Sequence, residues 1–142
     1  MTTASPYATA STDQDGRSIA RTAVTFGAGA AVATTAIGAI AKAGDVPLVV
    51  GEMEIQIPMF AVFTVIGAAL GALIATQAQK RAGRPRSIFL ATTLVLTALS
   101  IVPDVTADAT TATKVTLVAA HLVAAAVIIP ALAARLSADR RG

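Results

Sequence analysis

The sequence predicts an all-α membrane protein: a four-transmembrane-helix bundle with a short extracytoplasmic β-hairpin between helices 1 and 2. Three observations carry that prediction. The 142 residues are 55% hydrophobic and only 13% charged, where a soluble domain carries about 25% charged residues. The charge is also missing in blocks. Residues 22–41, 57–79, 87–103 and 115–134 hold no Asp, Glu, Lys or Arg, in runs of 20, 23, 17 and 20 residues. A helix at a water-facing surface needs a polar face, and these windows have none. They match instead the ~17–25 residues that cross a hydrocarbon core about 30 Å thick. Finally, the cations gather in alternate connections, with KRAGRPR at 80–86 between the second and third windows.

Taken in order, residues 1–16 (MTTASPYATASTDQDG) are small, polar and without periodicity, so a disordered cytoplasmic tail is expected. The membrane domain then covers 17–136, with spans at about 20–42, 57–79, 87–103 and 112–135 and an outer hairpin at 45–57. A cleaved signal peptide ending near AIAKAG at 39–44 is the competing reading of the first span. Secretory apolar cores run ~7–15 residues, and this one is 20 behind a long polar leader. The first span has only five strong inserters, Val24, Phe26, Val32, Ile37 and Ile40, against nine in each of the others. It is rich instead in Gly, Ala and Thr, which let backbones approach closely. It should be the most enclosed helix.

Between spans one and two, Glu52, Glu54 and Gln56 alternate with Met53, Ile55 and Ile57, the period of a strand. Val50-Gly51-Glu52-Met53 suits a type II′ turn, with Gly at its first central position. A lone hairpin is marginal in water, so its apolar face should lie on the bundle mouth or the lipid. Pro58 opens span two, where first-turn amides lack intrahelical partners anyway. Gly67 and Gly71 in that span form a GxxxG, read as a helix-packing groove, within the bundle or between copies. Pro103 ends span three; Asp108 or Thr110 could cap span four after an outer loop. Pro130 sits inside the end of span four, and 137–142 is a short cytoplasmic tail.

Lys and Arg near span ends are retained on the cytoplasmic side. With both termini inside, that side holds Arg17, Arg21, Lys80, Arg81, Arg84, Arg86, Arg135, Arg140 and Arg141, and the outer side only Lys42 and Lys114. The expected location is therefore the plasma (inner) membrane, multi-pass, with cytoplasmic ends. This also disposes of a nucleic-acid reading of the net charge of +3. Lys80, Arg81, Arg84 and Arg86 act as the topology signal, with anionic-lipid contacts as a further role.

The run from 91 to 136, above all DATTATKVTLVAAHLVAAAVIIPAL, resembles the C-terminal half of a family of small actinobacterial four-span membrane proteins of unknown function. In that family a Thr/Ala-rich outer loop leads to a basic residue and a helix with an embedded His-Leu pair. Thr110, Thr111, Lys114, His121 and Leu122 match that pattern. The resemblance implies no activity.

His121 is the one histidine, and an ionisable group inside a span is a functional candidate by default. It lies seven residues beyond Lys114, roughly 10 Å deep at 1.5 Å per residue. Thr35, Thr64 and Thr97 come to the same depth and Thr34 one position deeper. A shared polar layer is expected, either as structural His–Thr contacts or as a proton- or ligand-handling site; a chance alignment is the third reading. Asp45, Glu52 and Glu54 could gather a divalent cation, though a solvated acidic face suits them better. With no Cys and one His, no metal or cofactor is expected. HExxH, GxSxG and P-loop motifs do not occur. The expectation is a non-enzyme: an accessory or scaffolding subunit with lipid and a membrane-protein partner around it. The alternative is a small-molecule or proton-handling transporter component using His121 and the Thr layer.

Overall fold

The computed structural model describes residues 6–136, with four helices and one small sheet in the order α1 Pro6–Ala43, β1 Val49–Val50, β2 Met53–Glu54, α2 Ile57–Arg81, α3 Pro85–Thr106 and α4 Thr111–Ala133. All four helices are long and apolar enough to cross a membrane. Small residues decide how they pack. A Cβ added at Gly27 of α1 would stand 2.8 Å from the Ala68 Cβ of α2, and one at Gly38 would stand 2.7 Å from the Phe60 ring. Only the missing side chains let α1 and α2 come this close. On its other flank α1 packs on α4, and α3 packs on α4 and α2, so α1 and α3 occupy opposite corners of the bundle. Of the most apolar stretch of each helix, 33% is buried in α1 and 11% in α3. The weak inserter is thus the enclosed helix.

Two apolar clusters fill the interior. One occupies the basic-loop end, where Ile19, Phe89 and Leu132 are almost fully buried among alanines of α1 and α2. The smaller one closes the hairpin end with Leu48, Phe60 and Ala120.

Three sequence expectations are corrected here. The stretch read as a disordered tail is helical from Pro6 onward; residues 1–5, like the 137–142 tail, lie outside the described residues. Helix propagation adds one hydrogen bond per residue fixed, so a helix nucleated in the apolar stretch extends into polar sequence. Pro103 does not end α3, which continues to Thr106 with the Ala107 N–H donating to Pro103 O at 2.9 Å. So near its end, proline deletes a single helical amide and one turn still follows. Gly67 does not pack within the bundle. A Cβ there meets nothing within 4 Å, whereas one at Gly71 would meet Leu132 of α4 at 3.1 Å. The inward face of α2 is Phe60, Thr64, Ala68, Gly71, Ala75 and Ala78, and Gly67 falls outside it.

The α1 end is closed by a Schellman motif. Val46 N–H donates to Ala41 O at 3.0 Å and Asp45 N–H to Lys42 O at 3.2 Å, with Asp45 itself left-handed at φ 60°. The chain then turns back so that Leu48, at φ 49° and 1% exposed, plugs the mouth between the helices. β1 and β2 pair antiparallel through Val50 and Met53 across the Gly51-Glu52 turn. Gly51 has φ 59° and Glu52 is not left-handed, the sign pattern of a type II′ turn. The Gly51 N–H donates to Asp108 O at 2.7 Å, tying the turn to the α3–α4 connection.

Candidate functional site

The expected layer of one histidine and four threonines is only partly assembled. Thr34 and Thr64 do meet. Both are buried, and their hydroxyl oxygens lie 2.8 Å apart between α1 and α2. Thr64 Oγ1 also lies 2.7 Å from Phe60 O. Each hydroxyl has one proton, so the satisfied arrangement has Thr64 donating to Phe60 O and Thr34 donating to Thr64 Oγ1. Thr35 and Thr97 are half-buried and do not join this pair. On α3 the buried hydroxyl is instead Thr93, four residues nearer the basic loop, bonded within its own helix to Phe89 O at 2.8 Å.

His121 points elsewhere. Its Nδ1 lies 2.7 Å from Asp104 Oδ2, and the side chains are 43% and 13% exposed. The same nitrogen is 3.3 Å from Leu117 O, one turn back on α4. Asp104 Oδ2 is buried and stands in close polar contact with this nitrogen. The pair bridges α3 and α4 toward their hairpin end. Sequence reasoning missed Asp104 because it stopped α3 at Pro103. Once the helix runs on to Thr106, Asp104 becomes a helical residue able to meet α4.

The remaining candidates fall into place around the two ends. Thr110 caps α4, its Oγ1 accepting from Thr113 N–H at 3.2 Å. Glu54 pairs with Lys42 at 3.0 Å, both side chains about half exposed, which makes it a solvent-screened contact. Among the described residues no three His, Asp or Glu side chains converge as a metal site would require. Lys80, Arg81, Arg84 and Arg86 are all exposed on the α2–α3 connection and the helix ends beside it. Gly71 lies against Leu132 of α4, and Gly67 faces away from the bundle.

These parts make a closed interior with its unusual chemistry on the flank. The Thr34–Thr64 contact is internally satisfied. The His121–Asp104 pair sets a partly exposed imidazole against a largely buried carboxylate.

No match was found among curated proteins or among solved structures. A family model does match, and over far more than the C-terminal region that carries the resemblance noted above. Its match takes in most of α1, the hairpin and the three helices that follow, from residue 14 to residue 138, so the chain belongs to a family of unknown function, DUF6069.

Proposed function

We propose that this small membrane protein is a non-catalytic accessory or scaffolding subunit of the plasma membrane, with both termini cytoplasmic. The observation that carries this reading is the second half of α3. Pro85, Phe89 and Thr93 are the buried residues of that helix, and from 94 to 106 none is buried. Leu94, Val95, Leu99 and Val102 stand 50% exposed or more. Helices associate in lipid by van der Waals packing and interhelical hydrogen bonds, and this half-helix makes little use of either within its own chain. It suits the span of a partner subunit. The orientation rests on the cation distribution, since seven of the nine described Lys and Arg residues lie toward the basic-loop end.

The test is copurification in mild detergent from native membranes. A stoichiometric partner is expected, retained by His121→Leu and weakened by Val95→Trp together with Leu99→Trp. Recovery of this chain with no stoichiometric partner would refute the reading. A second reading, a proton-handling transporter component, draws on the 2.7 Å approach of His121 to Asp104. It requires that His121→Leu abolish a measurable proton flux in proteoliposomes at unchanged expression.

A further inference from the structure

The outer half of α3 is apolar where it faces away from the bundle and polar where it faces in. Thr93, Thr97, Ser100 and Asp104 follow one another at spacings of four, three and four residues, which stacks them along one stripe of the helix. Thr93 is buried and Asp104 meets His121 of α4, so the stripe looks into the bundle. Leu94, Val95, Leu99 and Val102 stand on the other sides. Apolar residues toward lipid need no explanation in a span. Four successive polar positions on the inward stripe do, and packing does not seal them. Thr97, Ser100 and Asp104 are only half-buried, and no residue from 94 to 106 is buried. On the same side of α4 as His121 come Ala124 and Ala125, both small and half-buried.

This seam has a floor and a mouth. Below Thr97 it is closed by Thr93 and Phe89, 6% and 0% exposed. Thr106, where α3 ends, is nine residues above Thr97, about 14 Å at 1.5 Å per residue. The groups along it have acceptor capacity to spare. Thr93 and Ser100 donate to Phe89 O at 2.8 Å and to Leu96 O at 2.7 Å, and each oxygen keeps its lone pairs. Asp104 Oδ2 is buried, stands 2.7 Å from His121 Nδ1, and has no hydrogen-bond partner among the described residues. A buried acceptor in that state calls for water or an ion. Asp104 is also the one Asp or Glu within α2, α3 and α4, and such a group in a span ordinarily faces the bundle interior or a water-filled cavity. At the mouth, Asp108 and Lys114 offset one another in charge, which leaves Asp104 to set the sign inside. We propose that the seam between α4 and the outer half of α3 is a water-filled crevice, open at the hairpin end and reaching Thr97, into which the Asp104 carboxylate draws small cations. This concerns access and not flux, so it holds whether the chain scaffolds or transports.

The experiment uses single cysteines in the full chain, which has none of its own. The protein is held in lipid nanodiscs, where both membrane faces are open to reagent and orientation does not enter. The probes are two membrane-impermeant methanethiosulfonates, one carrying a trimethylammonium group and one a sulfonate. They are applied in alkaline buffer, where an ordinary imidazole is neutral. Thr97→Cys and Ser100→Cys should be modified by the cationic reagent, and the outward-facing Val95→Cys and Leu99→Cys should stay unmodified. At Thr97→Cys the cationic reagent should react about tenfold faster than the anionic one, through the field of a single carboxylate in a cleft. Adding Asp104→Asn should abolish that preference, and Asp104→Glu should keep it. Exposed Glu52→Cys reports the intrinsic rate of each reagent. No modification of Thr97→Cys and Ser100→Cys means a dry seam and overturns the proposal. Equal modification of all four positions overturns it as well, since a loosened helix reacts on every side. Equal rates for the two reagents at Thr97→Cys overturn the attraction of cations, and that result is read without altering Asp104.

Discussion

At the scale of single residues, absent atoms decide most. Two glycines with the same local sequence character do opposite things. Gly27 is the point where α1 touches Ala68 at van der Waals limits, and Gly67 faces open space. Gly27→Ala should destabilise the bundle by about 1–3 kcal/mol, the usual cost of overpacking a close contact. Gly67→Ala should be neutral, or stabilising by up to about 1 kcal/mol through helix propensity. Detergent-titrated unfolding followed by circular dichroism compares them directly, and equal effects would mean the helix faces are misassigned. The sequence could not tell these two apart. Residues 57–79 carry no charge, so no charged stripe marks which face of α2 turns inward. In water such a stripe would exist; in lipid nothing demands it. The partner of His121 was hidden for a different reason. Pro103 reads as a stop, and only the extra turn to Thr106 makes Asp104 part of α3.

At the scale of elements, the most demanding backbone sits between α1 and β1. Asp45 and Leu48 both hold positive φ, at 60° and 49°, where an L side chain crowds its own carbonyl. Asp45 occupies the left-handed position of the Schellman motif, the place where glycine is favoured. Asp45→Gly should therefore raise stability by up to about 1 kcal/mol. At Leu48 burial dominates. Its side chain closes the mouth against Phe60 and Ala120, so Leu48→Ala should cost about 2–5 kcal/mol despite the strained backbone. Thermal melting in a fixed detergent reads both, and a destabilised Asp45→Gly would contradict the cap. The hairpin itself was legible from the alternation at 52–57 and the glycine at 51. Its anchor was not, because Leu48 precedes the alternating stretch and follows a proline.

At the scale of the whole molecule, four helices and their order could be read before any coordinates, since eighty residues without charge leave few alternatives. The packing of α1 on both α2 and α4 was foreshadowed by the small residues of α1, and close approaches at Gly27 and Gly38 set its pairing with α2. The proposed orientation is open to a direct check because the chain has no native Cys. Gly83 and Glu52 are both exposed, on the α2–α3 and α1–α2 connections. Gly83→Cys should react with an impermeant maleimide only after the cells are permeabilised, and Glu52→Cys should react in intact cells. The reverse result would invert the molecule.

The Gly51–Asp108 contact joins the first half of the chain to the second through main-chain atoms alone. Nothing at position 108 contributes except a carbonyl, which every amino acid possesses. Mutational drift at that residue therefore leaves the acceptor in place. Where the polypeptide's two halves meet, the seam is indifferent to side-chain identity on one side and asks on the other only for an amide able to turn left-handed.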